Sequence, residues 1–222
     1  MSESCCQPAS ADRAAAPSGR YRRVLWIALT VNAAMFAVEL AGAHAADSLA
    51  LLADAVDFLG DASNYAVSLL VLGAAPLWRS RAALAKGLAM GGFGLWVLGG
   101  AAWNALHGSV PEPATMGAIG LAALVANLSV AALLYAHRHG DANMRSVWLC
   151  TRNDAIGNLA VMLAALGVLG TGSAWPDLAV AALMGSLALR GSAEVIGRAR
   201  AELRAPATHA AVERAPVRQR AG

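Results

Sequence analysis

The sequence predicts an all-α membrane protein of six transmembrane helices with both termini in the cytoplasm, and three observations lead there. The first is composition: 58% of the 222 residues are apolar and only 14% charged, where a soluble domain carries about 25% charged residues. The mean hydropathy is +0.52. The second is a series of apolar stretches, each long enough to cross ~30 Å of hydrocarbon as a helix. The third is the placement of basic residues on alternate connections. A disordered chain is excluded by the apolar content. A nucleic-acid binder is excluded by the distribution of the charge, whose net value is only +3. Three cysteines, two of them adjacent, cannot make a disulfide framework, and nothing in the pattern points to an enzyme.

The spans are expected at 24–43, 48–74, 82–106, 117–137, 146–170 and 175–196. Breaking residues fall between them. Pro76 follows the second, Pro111 and Pro113 separate the third from the fourth, and Gly140-Asp141 precedes the fifth. Gly170-Thr171-Gly172 precedes the sixth, which opens on Trp175-Pro176-Asp177; proline suits a first helical turn because its missing N–H would be unpaired there. The first stretch has one rival reading. Arg20, Arg22 and Arg23, an apolar run and Ala43-His44-Ala45 resemble a cleavable signal peptide, but the run is too long and contains Asn32 and Glu39, so it is expected to stay as a span.

Of seventeen Lys and Arg, fifteen lie before span 1, between or at the edges of spans 2 and 3, between spans 4 and 5, or after span 6. The connections 1–2, 3–4 and 5–6 hold none. This positive-inside pattern places both termini in the cytoplasm, in a bacterial-type inner membrane. The exceptions, Arg152 and Arg190, fall inside spans 5 and 6. Residues 1–19 and 201–222 are expected as short disordered tails flanking a transmembrane domain at 20–200.

Ionisable groups within a bilayer are costly and therefore functional candidates. Span 2 carries Asp54, Asp57 and Asp61, which at 100° per residue lie within about 60° of one another on one helix face. Three like charges there repel unless some are protonated or a cation lies among them. Span 5 carries Cys150 and Asp154 at i, i+4, where side chains meet; Arg152 points elsewhere. Asp57, Asp61, Cys150 and Asp154 can thus form a cage of two i, i+4 pairs on facing helices. Three oxygens and one sulfur suit a tetrahedral divalent transition ion such as Zn²⁺ and argue against Mg²⁺ and Ca²⁺, which prefer six or more oxygens. Such a cage does not choose sharply among Co²⁺, Zn²⁺ and Cd²⁺. A lone buried Asp is often a packing group and a lone buried Cys a small hydrophobe; four acids at helical spacing are harder to explain in that way. Around the cage, Asp54 and Glu39 are expected to support the ligands, and Glu39 is alternatively a partner for Arg152. His44, Asp47 and Asp177 near the outer interface make a weak exit site or simply face water. Cys5-Cys6 could take up thiophilic metal, and His137 and His139 could aid metal entry. The glycines of span 3 allow close helix contacts, within the chain or at a dimer face.

The string Ser48-Leu-Ala-Leu-Leu-Ala-Asp54-Ala-Val-Asp57-Phe-Leu-Gly-Asp61 resembles the span-2 motif of the cation diffusion facilitator family. Asn32, Glu39, Asp154 through Asn158, Trp175-Pro176-Asp177 and Glu202-Leu203 match it as well. The resemblance covers roughly residues 20–204. It implies that Asp57 and Asp61 are the span-2 metal ligands and that Cys150 and Asp154 fall on the span-5 pair. It also implies export of Zn²⁺, Co²⁺ or Cd²⁺ from the cytoplasm, usually against protons and usually by a dimer, with no permanently bound cofactor. Asp61-Ala-x-Asn64 echoes Asp154-Ala-x-x-Asn158, which adds Asn64 and Asn158 as pathway residues. Three departures stand out: Cys150 replaces the usual His or Asp, the family's cytoplasmic domain after span 6 is not seen, and the His-rich loop common between spans 4 and 5 is reduced to His137 and His139. The alternative reading is a non-transporting membrane partner or regulator of another metal exporter.

Overall fold

The computed structural model describes residues 19–70, 76–135 and 142–204, with the side chains at 70, 76, 79 and 142–153 outside the description. The described residues form six helices: α1 (Gly19–Ala46), α2 (Leu49–Leu70), α3 (Pro76–His107), α4 (Pro113–Tyr135), α5 (Ala142–Thr171) and α6 (Trp175–Arg204). Five of them are long and apolar enough to cross a membrane. The exception is α2, whose 22 residues include three aspartates. Of the expected tails at 1–19 and 201–222, Gly19 instead opens α1 and residues 201–204 close α6; residues 1–18 and 205–222, and with them Cys5 and Cys6, lie outside the described residues, as do His137 and His139.

Pro76 and Pro113, expected as breakers, instead open α3 and α4, where the fixed φ and missing N–H of proline fit the helix start. Glu112 caps α4: its carboxylate accepts from the N–H groups of Ala114 (3.0 Å) and Thr115 (2.5 Å). Those bonds, the Thr115 contacts foremost, hold its carboxyl below the ordinary range. The Glu112 N–H in turn donates to the carbonyl of Ala46 (2.9 Å), tying the α3–α4 connection to the α1–α2 turn. Asp47, at φ 53°, makes that turn, a left-handed position in which Asp is better tolerated than most residues.

Packing explains why α2 differs. It lies against α1, α3, α5 and α6, and every residue from 50 to 56 is buried. A helix enclosed by other helices need not be apolar to reach lipid depth, because its polar side chains face protein. The outer surface is the reverse. Trp26, Leu95, Trp96, Leu121, Leu163 and Leu169 are all exposed, large apolar side chains of the kind that lipid covers. The chain is an integral membrane protein.

The α3–α6 pair is drawn together by small residues, as the span-3 glycines suggested. A Cβ on Gly87 would lie 2.8 Å from Ile196 Cγ1, and one on Gly91 2.6 Å from Ser192 Oγ. Ser192 Oγ donates to the Gly87 carbonyl at 2.7 Å. Gly92 and Gly99 have open space beside them.

Candidate intramembrane metal site

Along α1, α2 and α4 a polar stretch separates two groups of buried apolar residues, α1 passing through them in the direction opposite to α2 and α4. Tyr21, Leu25 and Ala28 of α1, Tyr65 and Leu69 of α2, and Val130 and Leu134 of α4 form one apolar cluster. Ala43 and Ala46 of α1, Leu51 and Leu52 of α2, Met116 of α4, and Val161 and Val168 of α5 belong to another. Between the two, in sequence, lie Asn32 and Glu39 of α1, Asp54, Asp57 and Asp61 of α2, and Asn127 of α4; Asp154 and Asn158 of α5 precede its apolar run. A polar layer therefore sits between two dry ones.

This layer brings the predicted acids of α2 and α5 together. The carboxyl groups of Asp61 and Asp154 face each other across the helix interface. Asp61 is held by Tyr65, whose hydroxyl donates to Oδ2 at 3.0 Å. Asp54 and Asp57 are aimed at α5 one turn farther along: a Cβ built on Gly157 would lie 3.8 Å from Asp54 Oδ1 and 4.0 Å from Asp57 Oδ2. Glu39, fully buried, lies beside Asp54. Its expected alternative partner, Arg152, has a side chain outside the described residues, as does Cys150, although α5 carries both. Among the described residues no three His, Cys, Asp or Glu close into a metal-holding group.

Among the described residues, both oxygens of Glu39, Asp54 Oδ2, Asp154 Oδ2 and both polar atoms of the Asn158 side chain are buried without a hydrogen-bond partner. Orphaned polar atoms are rare inside proteins because each costs about 1–3 kcal/mol. Their concentration here singles this layer out as the candidate site. Asn127, buried with Oδ1 unpartnered, belongs to the layer and was not singled out from the sequence. The available signal was a lone amide in an otherwise apolar α4. Asn64 is on the same side of α2 and accepts from Lys86 Nζ.

Asp177 departs from expectation. It is neither a water-facing group nor part of an exit site, since it is fully buried at the start of α6. Its Oδ1 accepts from Ser48 Oγ (2.6 Å) and the Ala50 N–H (3.1 Å), and its Oδ2 from the Leu49 N–H (3.0 Å). It caps α2 from another helix, satisfying N–H groups that a helix start leaves unpaired.

Gly157 gives the acids room. Gly157→Ala should be tolerated, its nearest neighbour being Met184 Cε at 3.4 Å. Gly157→Leu is expected to push an apolar branch among the carboxylates and cut metal binding by about tenfold or more, as metal titration of the purified variants would show.

The class so defined is a polytopic helical membrane protein with a buried acidic path at mid-depth. The sequence model of the cation efflux transmembrane domain matches residues 25–77 and 78–203, and the chain belongs to that family, the cation diffusion facilitators. It is similar to the "Cadmium, cobalt and zinc/H(+)-K(+) antiporter" of Bacillus velezensis, 27% identical over 188 residues that make up 78% of this chain and 59% of the relative. It is equally similar to the "Metal cation efflux system protein CzcD" of Cupriavidus metallidurans, 27% identical over 179 residues, 75% of this chain and 57% of the relative. The chain thus spans under three-fifths of the length of these relatives. They are transporters, not enzymes.

Proposed function

We propose that this chain exports divalent transition ions of the zinc, cobalt and cadmium class from the cytoplasm in exchange for protons. Asp57, Asp61, Cys150 and Asp154 take the ion, and Glu39, Asp54, Asn64 and Asn158 support the path. The observation that carries this reading is the meeting of Asp61 with Asp154 inside the polar layer, in a chain whose family moves cations. In this reading α2 is the sixth span, the basic connections and both termini face the cytoplasm, and the protein resides in the inner membrane as a homodimer.

The chemistry follows from the donor set. Carboxylates and a thiolate bind metal only when deprotonated, so ion binding expels protons and protons expel the ion. A site opening alternately to the two sides therefore exchanges one for the other. The names of the relatives, which include a proton-coupled antiporter, support the coupling.

The test is reconstitution into liposomes carrying an internal pH dye, with Zn²⁺, Co²⁺ and Cd²⁺ added singly. Metal-driven proton movement above that of empty liposomes is the expected result for at least one ion. Folded protein that moves protons with none of the three sinks the exporter and leaves the non-transporting partner.

A further inference from the structure

Lys86 was read from the sequence only as part of the positive-inside pattern. The structure places it elsewhere. It lies on α3, ten residues after the helix opens at Pro76, and is half-buried. A lysine near a span end ordinarily extends along its stem to put the ammonium in water. Here Nζ instead donates to Asn64 Oδ1 of α2, 22 residues away in sequence. Asn64 is one turn from Asp61, on which the Lys86 charge acts directly. The position is rigidly set. The next residue, Gly87, is the point where α3 is fixed to α6, by its close approach to Ile196 and by the Ser192 hydroxyl on its carbonyl. α3 also packs on α2. The ammonium is therefore presented to the α2 acids by a helix that is not one of the two ligand-bearing helices.

We propose that Lys86 is a tethered counter-cation, competing with the divalent ion for Asp61 and so setting how tightly the site holds its cargo. The proposal rests on the metal-export reading above. A positive charge near Asp61 compensates the acids when they are ionised, and it repels an ion that arrives there. At the effective dielectric of a partly buried site, a unit charge within ~10 Å of a divalent ion changes its affinity by about tenfold or more. A transporter gains from this arrangement, because an ion held less tightly is released faster.

The experiment uses the purified full chain, titrated with Cd²⁺ and Zn²⁺ and then assayed in liposomes. Lys86→Gln is expected to bind metal about tenfold more tightly than the parent chain, Lys86→Arg to match the parent, and the Gln variant to show lower KM with lower kcat. A purely structural lysine would give neither the tighter binding nor the rescue by arginine. Lys86→Met is measured beside it, so that one unstable variant leaves the comparison standing. Binding that is unchanged or weaker in the folded Gln and Met variants overturns the proposal. Asp154→Ala separates the two failures. If that variant loses metal while Lys86→Gln equals the parent, the counter-cation fails alone; if the parent chain binds no metal, the site itself fails and the counter-cation with it.

Discussion

Asp154→Ala is expected to abolish metal-driven proton movement while leaving the helix bundle folded. The loss of metal affinity should exceed the ~10–100-fold that removal of a supporting group costs, because a direct ligand is lost. The stability result is as informative as the flux. Among the described residues Asp154 Oδ2 is buried without a hydrogen-bond partner, and the acid faces Asp61, so two carboxyl groups are crowded together at a cost to the fold. Removing it should leave the thermal midpoint unchanged or raise it slightly. Glu39, whose two oxygens are also without a partner among the described residues, should behave in the same direction on stability when changed to Met, which removes both polar atoms. Activity lost with stability kept is the signature of a site maintained at the expense of the fold. If Asp154→Ala transported like the parent chain, the α2/α5 path would not carry the ion.

Asp177→Ala should do the opposite. The variant strips three hydrogen bonds from the start of α2 and leaves the N–H groups of Leu49 and Ala50 and the Ser48 hydroxyl in a buried setting. At ~1–3 kcal/mol for an unmet buried group and ~1 kcal/mol for a lost cap, the cost is about 2–4 kcal/mol. A thermal melt in detergent reads it. Ser48→Ala should cost less, since it removes one donor together with its own bond to the Leu51 N–H (3.1 Å). An Asp177→Ala variant that melts like the parent but transports poorly would reverse the assignment and restore an exit-site role.

These two aspartates show where sequence reading succeeds and where it fails. Asp54, Asp57 and Asp61 could be set on one face from spacing alone, because a helix fixes the angle between its own side chains. The alignment of α2 with α5 was then a short step, since both had acids at compatible depth. Asp177 offered no such handle. Its partners lie 127 to 129 residues away, and an Asp after a Trp-Pro at a span edge looks the same whether it faces water or caps a neighbouring helix. Glu39 falls within a stretch that hydropathy marks as a span, but its neighbour Asp54 is set by how α1 leans on α2. Pro76 and Pro113 mark boundaries in sequence; whether each ends one helix or begins the next depends on which backbone N–H groups need partners.

The sequence by itself determined the membrane class, the helices and the acids on α2 and α5, because hydropathy and the 3.6-residue period are local properties written in consecutive residues. Tertiary structure alone decided that Asn127 joins the polar layer, that Asp177 caps α2 and that Lys86 reaches Asn64 beside Asp61. Each of these depends on the relative rotation and depth of helices far apart in the chain. Packing of small residues such as Gly87 and Gly91 against α6 sets that geometry, and no single segment encodes it.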